Sequence, residues 1–418
     1  MNKLSRWQGA GLLATTLLGT SVFILPQSSL NIAGENAIWA WVLLTLAIIP
    51  VTIIFGQLSA NFPHAAGPAH FVEQAFGRVI GRAIGLSFLF AVPLGVPAAI
   101  LMTYQFIDGL VSLSSTQQWL VQLAMLTSIY IVNFRGIRVS AQIQLVLTLV
   151  IVMVVAAMLF AALFSLEHAG IPVPNQDDIN PLLIAAGLAF WSFLGVEAMS
   201  HLSDDFAQPA KDLIPAMLIG ILLVGMVYVV CTLILYWLPN DQPLSMAVVF
   251  DQLFGGLGHW IIGLLGIAGG LATVNVYTAS AAKLLASFAQ QQILPRVFAK
   301  QNKHNVANRA LLFILTIMAI VITYTYIADK QLEDLIFWVN GVFILIYLSA
   351  MLAAYKLLAN KYRWLIHCSV LFCLVIIYGL GWNMSYAFCI LSILVPIVWY
   401  QQKHLTSKVQ NALISNKI

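Results

Sequence analysis

The chain has 418 residues, of which 61% are hydrophobic and 8% are charged, with a formal net charge of +4. Since a soluble domain carries roughly 25% charged residues, this composition excludes a soluble globular protein and favours a polytopic membrane protein. We expect no nucleic-acid partner. The four cysteines, Cys231, Cys368, Cys373 and Cys389, lie inside apolar segments and form neither a disulfide framework nor a zinc motif.

Apolar segments recur along the chain at lengths of about 20 residues or a little more, which suit a bilayer. They predict an all-α membrane protein with twelve transmembrane helices. The approximate limits are 9–32, 38–60, 82–110, 117–134, 139–166, 181–202, 214–238, 257–287, 308–327, 334–357, 363–381 and 383–401. The first segment follows basic residues but is too long for a signal-peptide h-region, so we interpret it as a spanning helix.

Basic residues are distributed unequally between the two sides of these spans. With the N terminus in the cytoplasm, 18 of the 19 lysines and arginines fall on the inner side, and Lys330 is the exception. Because cytoplasmic loops carry an excess of lysine and arginine, this asymmetry predicts that both termini are cytoplasmic.

Two stretches, Ala10–Gly19 and Ala186–Gly195, share five of ten residues at a constant shift of 176 positions. Each then turns polar, at Thr20 and Ser21 in the first and at Glu197 in the second. The first and sixth spans run in opposite directions, as inverted repeats require. A chance match is the alternative, because membrane sequences draw on few residue types.

The repeat predicts a division of the chain into four parts. Spans one to five form the first inverted repeat and spans six to ten the second, with spans eleven and twelve and a cytoplasmic tail appended. The corresponding ranges are 1–166, 167–357, 358–401 and 402–418.

Ionisable residues are scarce at depth, where they are costly and tend to be functional. Glu197 is the one carboxylate placed well inside a span, Asp108 lies near the end of one, and no lysine or arginine lies at mid-membrane. This shortage points to a substrate without net charge, such as a zwitterionic amino acid. Its carboxylate suits the N–H groups of the half-helix after Gly19 and Thr20, and its ammonium suits the carbonyls freed between Phe193 and Val196.

The predicted substrate site comprises Gly19, Thr20, Ser21, Val22, Phe23, Phe190, Phe193, Gly195 and Val196. Trp191 is a further candidate for the wall of an apolar pocket. The alternatives are simpler: the aromatic rings pack against lipid or core, Thr20 and Ser21 bond to helix carbonyls, and Glu197 caps a half-helix.

No enzyme signature is present, since the chain lacks His-Glu-x-x-His, phosphate-loop and Gly-x-Ser-x-Gly patterns. The histidines are scattered, mostly at loops and span ends. We therefore expect no catalytic residues, no metal and no cofactor.

Several motifs, in order along nearly the whole chain, resemble those of the amino acid–polyamine–organocation transporter superfamily. Gly19–Phe23 resembles its Gly-x-Gly-[Ile/Val]-Phe motif, with Ser21 where glycine is common, and Phe193–Glu197 resembles its Phe-x-Gly-Phe-Glu motif. Asn133–Arg138 resembles its Asn-x-x-Gly turn, and Asp204–Pro209 resembles its acidic run before Pro. In length and local sequence the chain is most similar to the amino acid efflux family.

The resemblance implies a leucine-transporter-like fold of two inverted five-helix repeats, with helices one and six broken. It implies export of methionine, leucine, isoleucine and valine across the bacterial inner membrane by proton antiport, as a monomer or homodimer. Some members of the superfamily have a lysine in span five that takes the place of a sodium ion. Span five of this chain contains no lysine. Proton coupling through Glu197 is therefore a hypothesis.

Two other functions are open. An amino acid importer or exchanger of the same fold would have the same motifs, because gradients set the direction of transport. A channel or membrane receptor belongs to a different class, but a channel favours a continuous polar face, whereas the polar residues here cluster at two points.

Overall fold

The computed structural model describes residues 5–19, 21–64, 66–135, 141–165, 170–174, 179–199, 206, 208–242 and 244–415. Its regular structure is helical. The α-helices are α1 (Arg6–Leu18), α2 (Leu25–Ala33), α3 (Asn36–Asn61), α4 (Pro68–Phe76), α5 (Arg78–Asp108), α6 (Ser115–Phe134), α7 (Ala141–Ser165), α8 (Ile179–Ala189), α9 (Pro209–Trp237), α10 (Ser245–Phe254), α11 (Gly258–Gln290), α12 (Asn308–Ile327), α13 (Leu332–Leu357), α14 (Arg363–Leu380) and α15 (Ser385–Ser415).

The predicted spans coincide with these helices. Ten of them match one helix each, the first matches α1 and α2 together, and the sixth matches α8 and the irregular residues after it. By length and hydropathy, nine segments within the described ranges suffice to cross a membrane. One of the nine is the 44-residue stretch Asn360–Lys403, which contains α14 and most of α15.

Local sequence explains where several helices begin. Ser5 and Gln8 form a capping box at the start of α1, and Ser114 and Gln117 form another at the start of α6. Prolines inside long helices, among them Pro50 of α3, do not end them. Neighbouring helices, and serine or threonine side chains, can satisfy the backbone groups that a proline frees.

Two short helices lie outside the predicted spans. In α4, Phe71 and Val72 are fully buried and the helix packs on α5 and α13. His64, which precedes α4, stacks its ring on that of His70 within α4, with centroids 4.1 Å apart. Burial and the neighbouring His64 lower the pKa of His70. The second short helix, α10, was not predicted by the sequence analysis.

One continuous apolar core joins most of the helices. Its largest fully buried side chains include Trp41 of α3, Tyr228 of α9 and Tyr347 of α13. The helix α14, predicted as part of an appendage, packs against α3, α8 and α13. A Cβ at Gly379 would lie 2.3 Å from the Leu183 carbonyl oxygen, so α14 and α8 meet backbone to backbone.

Candidate substrate site

The first predicted span is interrupted near its middle. Helix α1 ends at Leu18 and α2 begins at Leu25, with turns between them. The turns are held by bonds from Val22 N to Leu18 O (3.2 Å) and from Leu25 N to Ser21 O (2.9 Å). Thr20 lies outside the described residues. The second half-helix therefore starts several residues later than the sequence analysis assumed when it placed a substrate carboxylate after Thr20.

Glycine permits a close contact at this interruption. A Cβ at Gly19 would lie 2.2 Å from Thr273 Oγ1, and one at Gly269 would lie 2.3 Å from the Gly19 carbonyl oxygen. Both Thr273 and Gly269 belong to α11. The end of α1 thus rests directly on the backbone of α11.

The sixth span is interrupted at the matching position. After α8 the chain tightens into a 3-10 turn over Phe190–Phe193, and Leu194 is extended. Gly195 then takes φ of +121°, a conformation that L side chains rarely adopt. Val196 lies in a turn, and Glu197 begins a further short 3-10 segment. Residues 200–205, which follow this segment, lie outside the described residues, so the alternative role of Glu197 as the cap of a half-helix stays a prediction.

A tyrosine hydroxyl bonds to each interruption. Tyr228 of α9 donates to the Leu17 carbonyl oxygen (3.2 Å), and its oxygen lies 2.6 Å from Ser21 Oγ. Its ring stacks on Trp41, with centroids 4.3 Å apart. Ser21 therefore bonds to another helix and does not simply bond back to its own.

The second tyrosine is Tyr347 of α13. Its hydroxyl lies 3.2 Å from the Phe193 carbonyl oxygen and makes a short hydrogen bond with Glu197 Oε2. The same carboxylate oxygen accepts a bond of 2.8 Å from Gly195 N. Glu197 is 2% exposed, and no ion pair formed by the described residues includes it. The carboxyl group is thus buried and hydrogen-bonded within the interruption.

A cavity lies between the two interruptions and three further helices. It is lined by Thr16 and Leu17 of α1, Trp191 and Leu194 of the sixth span, Ala91, Val92, Gly95, Val96 and Ala99 of α5, Thr273, Val274 and Tyr277 of α11, and Val339 and Phe343 of α13. Most of these side chains are apolar, none is charged, and Thr16, Thr273 and Tyr277 supply hydroxyl groups.

The cavity and the predicted site both draw on the first and sixth spans, but they consist mostly of different residues. Trp191 lines the cavity as expected, whereas Phe23, Phe190 and Phe193 are buried outside it. Phe190 packs edge-on against Tyr347 and Phe372 behind the interruption. Val22 and Val196 are likewise buried in the core. The three phenylalanines thus make core contacts of the kind that the sequence also allowed for them.

The lining residues of α5 and α11 were missed by the sequence analysis, although the sequence carries a signal for them. Val92, Val96 and Ala99 recur at helical spacing on one face of α5, and Thr273 and Tyr277 do so on α11. A periodic stripe on a buried helix does not by itself reveal which neighbour it faces. Among the described residues no group of three or more His, Cys, Asp or Glu side chains could hold a metal ion.

Two interrupted helices around an apolar cavity are the arrangement of a secondary transporter, and comparison with known proteins agrees. The chain belongs to the amino acid permease family, whose model matches residues 4–414. It is therefore a multi-pass membrane permease whose substrate is a small molecule of the amino acid class, and it is not an enzyme.

Three relatives narrow the comparison. The chain is 34% identical, over 92% of its length and 93% of the relative's, to the L-methionine/branched-chain amino acid exporter YjeH of Escherichia coli K12. It is 26% identical to the uncharacterized amino acid permease YecA of Bacillus subtilis 168, over 91% of each chain. It is 21% identical to the branched-chain amino acid permease BcaP of the same organism, over 93% of this chain and 90% of the relative.

Proposed function

We propose that this permease exports neutral apolar L-amino acids, namely methionine, leucine, isoleucine and valine, by alternating access coupled to proton antiport. The observation that carries the proposal is the cavity between the two interrupted helices. Its apolar walls and its few hydroxyl groups suit an amino acid with an uncharged, apolar side chain. The relative named as an L-methionine/branched-chain amino acid exporter supports this substrate class.

The cavity divides into regions that match the two ends of such a substrate. Val92, Val96, Val339 and Phe343 offer an apolar surface for the side chain. The α-amino and α-carboxyl groups need hydrogen-bonding partners, and the interrupted backbone near Leu194 supplies them beside the cavity. A lysine or glutamate side chain would bring a charge to walls that hold no opposite charge, at a high desolvation cost.

The proposed architecture has twelve spans, ten of them in two inverted repeats of five. The positions of the interruptions support this architecture, since the interruptions at Gly19 and Gly195 lie 176 residues apart, the same shift that relates the two matching stretches of sequence. The charge asymmetry supports cytoplasmic termini in a bacterial inner membrane.

Glu197 is the proposed proton site. It is a buried carboxyl group at the interruption of the sixth span, hydrogen-bonded but with no ion-pair partner among the described residues. Such a group changes between charged and neutral forms at a position where the substrate's amino group must also find acceptors. Competition between a proton and a substrate for one site is what antiport requires.

Counterflow in proteoliposomes tests the substrate class. Vesicles preloaded with unlabelled methionine, leucine, isoleucine or valine should accumulate labelled methionine, whereas vesicles preloaded with lysine or glutamate should not. Equal counterflow with the charged amino acids would contradict the proposal.

Replacement of the proton site tests the coupling. Glu197→Gln should abolish methionine export driven by a pH gradient and spare exchange of labelled for unlabelled methionine. If the variant exports normally under a pH gradient, Glu197 is not the coupling residue.

An importer or exchanger of the same fold is the second candidate, favoured by the similarity to the branched-chain amino acid permease BcaP. Cells that lack the exporter should retain more methionine after loading with a methionine dipeptide, whereas cells that lack an importer should not. This measurement separates the two directions.

A further inference from the structure

The two tyrosine contacts occupy corresponding positions of the two interruptions. Tyr228 bonds to the carbonyl of Leu17 and to the side chain of Ser21. Tyr347 approaches the carbonyl of Phe193 and the side chain of Glu197. Leu17 and Phe193 differ by the same 176 positions as Gly19 and Gly195, and so do Ser21 and Glu197. In each interruption a tyrosine therefore joins the carbonyl two residues before the glycine to the side chain two residues after it.

The two tyrosine contacts differ in the hydrogen-bond donors that are available to them. A tyrosine hydroxyl has one hydrogen, and a carbonyl oxygen can only accept. At the first interruption both partners are satisfied at once: Ser21 donates to Tyr228, and Tyr228 donates to Leu17 O. Neither serine nor tyrosine gains or loses a proton near neutral pH, so this arrangement is fixed.

At the second interruption the number of hydrogens available for bonding depends on whether Glu197 is protonated. When Glu197 is neutral, its Oε2 hydroxyl can donate to Tyr347, and Tyr347 donates to Phe193 O, as in the first interruption. When Glu197 is charged, both of its oxygens accept only, so Tyr347 must turn its one hydrogen toward the carboxylate. Phe193 O then loses the donor that Tyr347 supplied, and a buried carbonyl left without a donor is unfavourable.

We propose that Tyr347 is a positioning residue that relays the protonation of Glu197 to the backbone of the sixth span, so that the proton and the substrate's amino group exclude each other. The released Phe193 carbonyl lies one residue from Leu194, which lines the cavity, and an ammonium group is the donor that satisfies it. The proton moves between Glu197 and water, and Tyr347 only reorients its hydroxyl. The inference rests on the proposed function, since it needs an amino acid substrate and proton coupling at Glu197.

The surroundings of Glu197 leave this relay without a competing charge among the described residues. Tyr347 approaches it from α13, and Tyr277 of α11 contacts the neighbouring Leu194 carbonyl oxygen at 3.4 Å. From α1, Thr16 and Leu17 face Gly195 with apolar atoms. His201, Asp204 and Asp205 follow in the sequence but lie outside the described residues.

Three single-site variants separate the steps, with binding of tritiated L-methionine to purified full-length protein measured from pH 5 to pH 9. In the unaltered protein the affinity should fall by about tenfold as the pH drops and Glu197 becomes protonated, the effect expected from one charge-dependent hydrogen bond. Tyr347→Phe should keep the high-pH affinity across the range, because phenylalanine has no hydroxyl group to donate a hydrogen bond to Phe193 O. Glu197→Gln should keep the low-pH affinity, because its amide donates to Tyr347 at every pH.

Tyr228→Phe is the matched control. It removes the same hydroxyl from the interruption that holds no ionisable side chain, so its affinity should keep the pH dependence of the unaltered protein, whatever its absolute value. Gel filtration of each variant establishes that it is folded.

The outcomes distinguish the relay from the proposed function. If Glu197→Gln loses the pH dependence and Tyr347→Phe retains it, proton coupling at Glu197 stands and the relay is wrong. Loss of the pH dependence in Tyr228→Phe also overturns the relay, because either hydroxyl then has the same effect. If the unaltered protein binds no methionine, or binds it equally at every pH, the proposed function fails and the relay with it.

Discussion

Gly195 has the least replaceable backbone conformation of the candidate site. Its φ of +121° is unfavourable for any residue with a Cβ. An added Cβ would also lie 3.2 Å from Leu17 Cδ2 and 3.3 Å from Thr16 Cγ2, closer than ordinary contact. This glycine allows the sixth span to turn while α1 lies against it, so it positions both the Leu194 carbonyl and the Glu197 carboxyl.

We therefore expect Gly195→Ala to abolish or strongly reduce transport and to destabilise the protein by roughly 1–3 kcal/mol, the cost of a residue held in a rare backbone conformation. Methionine counterflow and the thermal unfolding midpoint measure the two effects. Gly170→Ala is the control, because no atom lies within 4 Å of the added Cβ and its φ is ordinary. Normal counterflow by Gly195→Ala would show that the turn is not needed.

Gly95 of α5 allows a test of the cavity that does not disturb the fold. A Cβ at this position would lie 3.5 Å from Val339 Cγ1 and 3.7 Å from the Trp191 ring, which are ordinary contacts. Gly95→Ala should therefore narrow the cavity and shift selectivity from methionine toward valine. A change of roughly 10-fold in the ratio of their transport efficiencies is the scale that one methylene commands in an apolar pocket. An unchanged ratio, measured by competition in counterflow, would place the side-chain pocket elsewhere.

At the scale of elements, the interruptions of the first and sixth spans were predictable, and the faces of the intact helices were not. Glycine and polar residues in the middle of an apolar segment, as at Gly19 and Glu197, conflict with a continuous lipid-spanning helix, and that conflict is visible in the sequence. Phe23 and Phe193 were assigned to the cavity because they lie next to the interruptions. A turn rotates each residue to a new direction, so proximity in sequence did not give the side-chain orientation.

The glycines of α11 show the same point, because they differ in the neighbours they meet. Gly269 meets the backbone of Gly19, whereas Gly263 meets Leu110 and Phe106 O at 3.4–3.5 Å. Both occupy the interior of one helix, so their intrinsic helix propensities are equal. Tertiary contact alone distinguishes them.

Gly269→Ala should therefore push α1 and α11 apart and reduce transport at least tenfold, whereas Gly263→Ala should leave transport within about twofold. Initial rates of methionine counterflow, normalised to the amount of folded protein, compare the two. Equal rates would mean that the contact between α1 and α11 has no role in transport.

At the scale of the whole molecule, α14 is part of the packed body. Phe372 of α14 contacts Phe190, and Gly379 approaches the backbone of α8. Spans eleven and twelve were predicted to be an appendage because the repeat ends before them. Repeat boundaries describe sequence similarity, however, and packing need not follow them. We expect a chain ending at residue 358 to fail in methionine counterflow and to aggregate on gel filtration, whereas a chain ending at residue 403 should do neither.

Orientation in the membrane is a second property of the whole molecule, and the positive-inside asymmetry predicts it. Lys303 and Gln331, at opposite ends of α12, are exposed. In intact cells a membrane-impermeant maleimide should label Gln331→Cys, and it should label Lys303→Cys only after the membrane is opened. The parent chain, whose four cysteines lie in α9, α14 and α15, is the background control. The reverse labelling pattern would show that the orientation in the membrane is opposite to the predicted one.

The backbone contact between Gly19 and Gly269 limits how the permease can open and close. With no side chains between them, α1 and α11 cannot approach further at this point, and they lose their packing if they separate. We therefore expect the contact to act as a fulcrum, with the two ends of α1 swinging in opposite senses about a nearly stationary midpoint. Structures of the inward-open and outward-open conformations should then show a constant separation of the Gly19 and Gly269 Cα atoms while Trp7 moves, and a midpoint that moves as far as the ends would show that α1 slides instead.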